Sequence, residues 1–595
     1  MFSSIMLIFI YYGLCIGVMH QRTKTSSNKA LLDTMTRKHI ATVVIFIIVM
    51  TMFVWYLINL NQYIYYWDYS GYWTISIERM KYMFSHTFLE NTSSLYYSIN
   101  NDDYNIFLPT ILAFPLKVFG YTFSNYVLLC FVMFAVPTFL VQGCIAVRIV
   151  KRPRTSSATL YVIAVILAGC FAQNYYALLR GYIDIAYLLP MSVAIYILLD
   201  YDFETVSFWK NCGVVSVLIL IWICRRYTIF FLIGYAVAML LKGAEVVRRD
   251  RGAIKRVVIN FCELGTLGLA MLLLFFRKFF LHALLTNYGG MYSAYDAPIQ
   301  HKIQTLIENF GLNTIIMVGL VGILCVVAKR KSGYIPLLSI LVVETVLFWQ
   351  TQDMGVQHYM ILNVPAFTVC MMVFDADTDT VIQEKQTLFA RVNYVLVILC
   401  IATVGTNFVK AFANDISNKG CGTIYAQRYY PLQRNDIDVI GSMVNRLNEL
   451  TSETDDYIYV AASGSILNCD ILRKANMPDT DNAVPHMYAT CDVDLRDGFP
   501  TDFLNAKYVV ATDPVQTHLA TGQEVVSYLA EGVQDETSYI GCHFRFMEQY
   551  ELDDGVIAKI YEKISGFSED DLQNLRDYYD ALYPGYSSIF AERIY

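Results

Sequence analysis

The chain has 595 residues, of which 56% are hydrophobic and 16% are charged, and its formal net charge is −7 at pH 7. A soluble chain has about 45–50% apolar and about 25% charged residues, so this composition excludes a soluble globular enzyme. The 32 glycines and 14 prolines are too few for a fibrous protein, and an aromatic share of 15% is too high for a disordered one. We predict an integral membrane protein with no nucleic-acid partner.

Apolar stretches long enough to cross a bilayer recur from the N-terminus to about residue 409. A spanning helix needs about 20 apolar residues. We predict twelve transmembrane helices, at residues 3–20, 40–60, 124–148, 157–173, 185–200, 211–224, 227–241, 258–276, 311–328, 334–350, 358–374 and 392–409. The alternative for the first is a signal peptide, but no basic residue precedes it and no A-x-A site follows it, which favours an uncleaved helix.

The basic loops set the predicted orientation, because cationic loops stay in the cytoplasm. Lys and Arg concentrate after the first span, at 22–38, and again at 148–154, 242–256 and 329–331. Loops 200–210 and 375–391, also assigned to the cytoplasm, carry more acid than base, but acidic residues count little in this rule. The alternation predicts a cell-membrane protein whose N-terminus and whose chain after residue 410 lie outside the cytoplasm.

The composition changes near residue 410. Residues 411–595 hold 13 Lys and Arg against 30 Asp and Glu, a net charge of −17, whereas residues 1–410 carry a net charge of +10. Within the tail, the runs at 456–463, 506–512 and 556–563 predict strands, and the pattern at 437–450 predicts a helix. We therefore predict a mainly α-helical transmembrane domain over 1–409 and a soluble extracytoplasmic α/β domain over 410–595.

Four of the 14 cysteines lie in this tail, at Cys421, Cys469, Cys491 and Cys542. An even number in an extracytoplasmic domain permits two disulfides, and we favour the pair Cys469–Cys491. No clustered Cys and His spacing indicates zinc.

The first long outer loop, 61–123, contains the strongest catalytic candidate. Asp68 follows a predicted span within YYWDYSGYW, beside Tyr69 and other aromatic residues. An acid in an aromatic pocket can have the raised pKa that a general base needs, and aromatic rings suit the face of a sugar. The alternative is an exposed Asp beside the aromatic belt of the membrane interface.

Asp102 and Asp103 form an oxygen-rich cluster with three asparagines later in the same loop, in the sequence NNDDYN. Hard oxygen ligands suit a divalent cation such as Mg²⁺ or Mn²⁺, or the hydroxyl group of an acceptor, and Asp103 is the favoured ligand. A turn-forming sequence without any site is the alternative.

Two further outer loops place ionisable residues near the membrane surface. Arg180 and Asp184 predict either a role in the site or a structural ion pair with each other. Arg225, Arg226 and Tyr227 interrupt an apolar run, which is costly unless the arginines meet a polar partner such as a lipid phosphate. The alternative is a pair of arginines that extend to the interface from a tight turn.

The remaining outer loops hold weaker candidates. Loop 277–310 has the glycines and proline of a mobile lid. Gln357, His358 and Tyr359 begin the eleventh predicted span, where the imidazole is suited to bind a phosphate or an acceptor. No motif for ATP hydrolysis, serine hydrolysis or dinucleotide binding occurs in a supporting context, so the substrate itself must carry the driving energy.

Together these residues resemble the GT-C class of polytopic glycosyltransferases, which use polyprenyl-phosphate-linked sugars as donors. The resemblance rests on YYWDYSGYW around Asp68, NNDDYN, RGYID ending at Asp184, RRY at 225–227 and QHYMILNVP from Gln357, and it covers about residues 40–409. The extra span before residue 21 departs from the commonest layout of the class.

The resemblance implies an inverting transfer of a hexosyl or pentosyl group during the building of the cell wall or another envelope polysaccharide. Asp68 would be the base that deprotonates an acceptor hydroxyl, and Asp103 would hold the acceptor or a divalent cation. The residues expected to neutralise the leaving lipid phosphate are Arg180, Arg225, Arg226 and His358. The supporting residues are Tyr69, Asp184, Tyr227, Gln357 and Tyr359.

The partners implied are a polyprenyl-phosphate-sugar donor, a glycan or lipid acceptor and membrane lipids. Two alternatives remain open. A flippase or transporter of lipid-linked saccharide also has about twelve spans, and a polysaccharide polymerase or ligase would use a diphosphate-linked donor.

Overall fold

The structure is a computed structural model that describes residues 1–20, 26–151, 153–291, 293–326, 334–375, 386–413, 417–478 and 482–595. Several residues on which the predicted orientation rests lie outside this range, namely Arg22, Lys24, Arg152, the 329–331 loop and residues 376–385.

Helices dominate the chain up to residue 430. The α-helices of this part are Phe2–His20, Ser26–Thr34, Arg37–Ile58, Asp68–Ser85, Phe88–Asn101, Phe107–Phe119, Phe123–Cys130, Val136–Ile149, Ser157–Gly169, Leu188–Asp200, Phe208–Cys224, Ile229–Arg249, Ile254–Phe275, Arg277–Leu285, Tyr288–Met291, Ile299–Phe310, Leu312–Leu324, Tyr334–Trp349, Asn363–Met371 and Gln386–Phe412.

Seven helices of the described chain are long and apolar enough to cross a membrane. They are Phe2–His20, Arg37–Ile58, Phe123–Ile149, Ile183–Asp200, Arg226–Arg249, Arg251–Phe275 and Ala390–Phe412. The number rises to nine if each of two bent helix pairs is one span. The helical content confirms the prediction of a mainly helical chain, and these long apolar helices are compatible with a membrane protein.

The two bent pairs explain part of the difference from the predicted twelve spans. Ser157–Gly169 meets Ala172–Arg180 at 56°, and Ile299–Phe310 meets Leu312–Leu324 at 92°. The second bend lies at Gly311, whose φ is +76°, and a Cβ there would lie 2.5 Å from the backbone nitrogen of Ala426. Only glycine fits this position, so the break is built into the sequence.

Three other predicted spans are short apolar helices, Phe208–Cys224, Tyr334–Trp349 and His358–Phe374. Phe208–Cys224 ends because Arg225 adopts an extended conformation, with φ −153° and ψ 131°. The arginine pair therefore separates two helices, as the interruption of the apolar run predicts.

By its internal contacts the chain forms two compact units. The first contains residues 1–60, 72–286 and 297–430, and the second contains 61–71, 287–296 and 431–595. Residues 411–430, which the sequence analysis assigns to the tail, thus belong to the first unit, and two pieces of the predicted outer loops belong to the second.

A four-stranded mixed sheet organises the second unit. Its strands are β1 (Ile458–Ala461), β2 (Tyr508–Asp513), β3 (Phe544–Glu551) and β4 (Ile557–Lys563). The order is β1-β2-β4-β3, with β1 and β2 parallel and the other pairs antiparallel. The accompanying α-helices are Ile437–Thr451, Cys469–Lys474, Asp494–Asp497, Thr501–Asn505, Glu524–Gln534 and Glu569–Leu582. The three predicted strands and the first predicted helix are confirmed.

Each face of this sheet has its own hydrophobic core, because successive side chains of a strand point to opposite faces. Val460 and Val510 contribute to one core, whereas Tyr459 and Val509 contribute to the other. Both faces are therefore covered by helices, as expected for an α/β arrangement.

The predicted Cys469–Cys491 disulfide is wrong, because both residues are free thiols in the structure. Cys469 packs into the core on one face of the sheet and Cys491 packs against the core on the other face. Burial raises the pKa of both thiols, that of Cys491 to about 12.

Candidate functional site

A buried ion pair lies at the junction of two apolar helices in the first unit. Arg225 follows Phe208–Cys224, and its Nε donates to Asp184 Oδ1 at 2.9 Å. The Asp184 side chain has no exposed surface, and that of Arg225 is 9% exposed. Ionisable groups at such depth need partners, and each supplies the charge that the other requires.

Tyrosines surround this ion pair. The Arg225 guanidinium lies 4.9, 5.4 and 5.3 Å from the ring centroids of Tyr72, Tyr104 and Tyr227. It also donates to the Tyr72 hydroxyl, and the Tyr227 hydroxyl donates to Asp184 Oδ1. The cation is therefore held by electrostatic attraction to three ring faces as well as by its carboxylate.

The segment that begins the eleventh predicted span closes this cluster. The Tyr187 hydroxyl donates to the backbone oxygen of Gln357 at 3.3 Å, and the Tyr227 hydroxyl oxygen lies 3.4 Å from the same backbone oxygen. The His358 ring packs edge-on against Tyr227, with 4.8 Å between centroids. Residues from five separated stretches of sequence thus meet at one place, and Arg225, Tyr227, Gln357 and His358 are among those predicted for the site.

Arg226 occupies a more open position. It donates from Nη1 to Asp103 and from Nη2 to the backbone oxygen of Asp102 at 2.8 Å. The Asp103 side chain is 61% exposed, and His282 Nε2 lies 3.4 Å from the same carboxylate oxygen. Arg226 Nε is buried and has no hydrogen-bond partner among the described residues. An anion could satisfy this donor and displace the exposed Asp103 carboxylate.

Arg180 lies in a third setting. Its guanidinium stacks 3.9 Å from the Tyr176 ring centroid and 5.3 Å from that of Tyr429, and Nη2 donates to the Tyr176 hydroxyl at 3.1 Å. The alternative of an Arg180–Asp184 ion pair is wrong, because Asp184 pairs with Arg225. In the part of the chain that the structure describes, no carboxylate forms an ion pair with the 7% exposed Arg180.

The oxygen-rich cluster around Asp103 does not fit a divalent cation. Two cationic or potentially cationic side chains, Arg226 and His282, already face Asp103. The neighbouring amide of Asn105 donates to the backbone oxygen of Ile223 at 2.9 Å rather than directing its oxygen towards Asp103. Within the described ranges, no group of three or more His, Cys, Asp or Glu residues could hold a metal ion.

Asp68 and Tyr69 lie at the start of the helix Asp68–Ser85. The segment 61–71 belongs to the second unit, where Trp67 adopts a left-handed backbone conformation with φ 44°. Asp470 Oδ2 accepts a hydrogen bond from the Trp67 backbone nitrogen at 2.5 Å. Burial raises the pKa of Asp470. A left-handed tryptophan is rare, and it persists where surrounding contacts enforce it.

Tyr359 was also predicted for the site, and its hydroxyl donates to Thr305 Oγ1 at 2.8 Å. Tyr72, Tyr104 and His282 were not among the predicted site residues, yet all three contact the arginines or their partners. The arginine pair at 225–226 was the one sequence signal for these contacts, because arginines in an apolar run require polar or aromatic partners from other segments.

Comparison with protein-family models, with curated proteins and with solved structures found no match.

Proposed function

We propose that the chain is an inverting glycosyltransferase that moves a sugar from a polyprenyl-phosphate-linked donor to a cell-envelope glycan, lipid or polymer acceptor. The observation that carries the proposal is the arginine pair at the junction of two apolar helices. Arg225 is neutralised by Asp184. Arg226 has an exposed carboxylate partner, and its buried Nε has no partner among the residues that the structure describes. This arrangement suits a lipid phosphate that arrives from the membrane and leaves again.

In the proposed reaction Asp68 takes the proton of an acceptor hydroxyl. The acceptor oxygen attacks the anomeric carbon, and the bond between that carbon and the phosphate oxygen breaks with its electron pair on the phosphate. Arg226 and Arg180 stabilise the charge on the departing lipid phosphate, while Arg225 holds Asp184 and the surrounding tyrosines in place. The activated donor supplies the free energy, so the reaction needs no nucleotide.

The topology belongs to the same proposal. We propose that the bent pairs and the three short apolar helices cross or enter the bilayer together with the seven long helices, giving twelve membrane segments. The acidic chain after residue 410 then lies outside the cytoplasm, on the side where a polyprenyl-linked donor meets an envelope acceptor.

The test is release of polyprenyl phosphate from a synthetic polyprenyl-phosphate-sugar by the purified full chain in lipid nanodiscs. We expect Asp68→Asn to abolish release and the exposed matched variant Asp577→Asn to retain it. Full activity of Asp68→Asn with normal folding would remove Asp68 from the mechanism. Absence of release by the wild-type chain across hexosyl and pentosyl donors would overturn the transferase.

Transport of lipid-linked saccharide is the second candidate, and two observations favour it. Two helix pairs are bent at short breaks, as in many secondary transporters. Glu344, in Tyr334–Trp349, is fully buried and neither carboxyl oxygen has a hydrogen-bond partner in the described chain. Buried ionisable residues in apolar helices mark ion and proton pathways. In liposomes, this candidate predicts translocation of labelled donor without chemical change and its loss in Glu344→Leu.

The release assay also tests the remaining alternative, a polymerase or ligase with a diphosphate-linked donor. It predicts release of polyprenyl diphosphate instead of the monophosphate, which mass spectrometry of the lipid product distinguishes.

A further inference from the structure

A short helix with three exposed basic residues follows the candidate membrane span Arg251–Phe275. We call this helix, Arg277–Leu285, the basic helix. Its basic residues are Arg277, Lys278 and His282, and all three are exposed. None of them has a role in the proposed reaction, so the basic helix adds positive charge that this reaction does not use.

The basic helix is fixed against the arginine pair by its buried residue, Phe279. Phe279 is 1% exposed, and the Arg226 guanidinium lies 5.4 Å from its ring centroid. The Trp222 ring packs edge-on against the same phenylalanine, with 5.0 Å between centroids. The basic helix and Arg226 are therefore neighbours in the first unit.

Asp103 provides an exposed carboxylate beside these basic residues. Arg226 Nη1 donates to Asp103 Oδ1, and His282 Nε2 lies 3.4 Å from the same oxygen. Lys278 Nζ donates to the side-chain oxygen of Asn101 at 3.2 Å. Side chains of the basic helix thus reach the same stretch of chain that Arg226 contacts.

This part of the surface has an excess of positive charge. It carries three permanent cations, Arg226, Arg277 and Lys278, and two carboxylates, those of Asp102 and Asp103. Neither Arg277 nor Lys278 forms an ion pair within the described part of the chain. The imidazole that faces Asp103 can add a further positive charge. An exposed cluster of this kind attracts an anion.

Apolar side chains are exposed on the same helix and on its neighbour. Leu284 and Leu285 of the basic helix are 62% and 80% exposed. On the helix Phe88–Asn101, which packs against it, Tyr96 and Tyr97 are 54% and 63% exposed. Exposed apolar and tyrosine side chains beside cations are typical of a helix that lies in the membrane interface. The anion expected here is therefore the headgroup of a lipid.

The proposed reaction changes the charge of its lipid phosphate. A phosphate that joins a lipid to a sugar is a diester with one negative charge. When its bond to the anomeric carbon breaks, the electron pair stays on the phosphate oxygen, and the product is a monoester with about 1.5 to 2 negative charges at pH 7. Additional cations close to Arg226 therefore favour the monoester over the diester.

We infer that Lys278 and His282 complete, with Arg226, a site that selects the phosphate monoester of a membrane lipid over a phosphodiester. The phosphate displaces the exposed Asp103 carboxylate, and the lipid chain lies against the exposed leucines of the basic helix. That this monoester is the polyprenyl phosphate released by the transferase rests on the proposed function. The preference itself does not, since it follows from the excess of cations and the exposed apolar side chains.

The test is equilibrium binding to the full chain in phosphatidylcholine nanodiscs, with binding to empty nanodiscs subtracted. The probes are farnesyl phosphate as lipid monoester, farnesyl methyl phosphate as lipid diester, and inorganic phosphate as an anion without a lipid chain. We expect farnesyl phosphate to bind about 10-fold more tightly than the diester, because it gains charge-assisted hydrogen bonds. Inorganic phosphate should bind at least about 10-fold more weakly than farnesyl phosphate, because it buries no apolar chain.

Two variants test the new residues. Lys278→Gln and His282→Gln should each lower the affinity for farnesyl phosphate by about 3- to 10-fold and change that for the diester by less than about twofold. Both side chains are exposed, so the thermal unfolding midpoints should not change. The matched control is the exposed Lys255→Gln, about 30 Å away at the other end of the helix Ile254–Phe275, which should leave both affinities unchanged.

Equal affinity of the wild-type chain for the monoester and the diester would overturn the inference, as would a preference that persists in both variants. Inorganic phosphate that binds as tightly as farnesyl phosphate would also overturn it, because the site would then need no lipid. A monoester preference that depends on Lys278 and His282, without release of polyprenyl phosphate from the donor, would support the site and contradict the transferase. Release by the wild-type chain without any monoester preference would do the reverse.

Discussion

The carboxylate of Asp470 accepts the backbone N–H of Trp67 at 2.5 Å, although the two residues are 403 positions apart in the sequence. The Ser70 hydroxyl donates to the same oxygen at 3.4 Å. The helix Asp68–Ser85 begins at the residue after Trp67. Asp470 therefore places a carboxylate at the N-terminus of this helix, where a negative charge and a backbone acceptor both stabilise the first turn.

We expect Asp470→Ala to lower kcat for polyprenyl-phosphate release by about 10- to 100-fold, because a displacement of about 1 Å at a reacting group has an effect of this size. KM for the donor should stay within about twofold, since Asp470 is proposed to act through the position of Asp68. Asp470→Asn retains an acceptor oxygen and should recover part of the loss. A rise in KM with an unchanged kcat would contradict this positioning role.

The Arg225–Asp184 pair predicts a large loss of stability when one partner is removed. Arg225→Met leaves a fully buried carboxylate without its cation, which costs about 3 to 5 kcal/mol of the free energy of unfolding. Unfolding in mixed micelles with increasing SDS measures this loss. The double variant Arg225→Met with Asp184→Leu should lose less than Arg225→Met alone, because no unpaired charge remains.

A matched control is Arg249→Met, which removes the exposed partner of the ion pair Arg249–Glu245. The Arg249 side chain is 69% exposed, so its loss should change the free energy of unfolding by about 1 kcal/mol or less. Equal losses for the two methionine variants would show that Arg225 is not held in a buried ion pair.

Arg226 and Asp103 predict opposite changes in donor affinity. Arg226→Gln removes the cation proposed to bind the lipid phosphate, so KM for the donor should rise about 10-fold or more. Asp103→Asn removes the anion that competes for Arg226 and should lower KM or leave it unchanged, with kcat retained. Steady-state release assays measure both. Loss of kcat in Asp103→Asn would instead support its role as an acceptor-binding residue.

The sequence predicted where the apolar segments lie but not which of them bend. The break at Gly311 depends on the approach of Ala426, which is distant in sequence, and no local pattern contains that contact. The sequence likewise does not show which residues form ion pairs with each other. Arg180 and Asp184 are four positions apart and suit a helical ion pair, yet Asp184 lies in the turn Ile183–Tyr187 and meets Arg225 instead.

In the second unit, three strands were predicted from short runs rich in β-branched and aromatic residues, and two of them, β1 and β2, are almost entirely buried. Strand β3 was not, since FRFMEQYE is largely exposed and pairs with a single neighbour, β4. An edge strand of this kind lacks the apolar signal.

Asp492 predicts a pH-dependent stability of the second unit. Burial raises its pKa from 3.8 to about 6, although Ser463 donates to it and Arg496 lies 3.9 Å away. Because the pKa of Asp492 is raised in the folded state, its favourable contribution to the free energy of unfolding is fully present below pH 3.8. That contribution is lost as the pH rises through about 6. Above pH 6 the buried carboxylate therefore lowers the free energy of unfolding by up to about 3 kcal/mol.

Nearby His518 acts in the opposite sense. Burial lowers the pKa of His518 below 6.5, so its contribution to the free energy of unfolding is lost as the pH falls. The His518 Nδ1 lies 2.9 Å from the Ser463 hydroxyl. Substitution of Asp492 separates the two effects. Asp492→Asn should raise the thermal unfolding midpoint of the second unit by about 4 to 8 °C at pH 7.5 and change it little at pH 4. Calorimetry of the full chain in nanodiscs measures both, with Asp577→Asn as the exposed control. An equal shift at the two pH values would show that the carboxylate charge of Asp492 is not its cause.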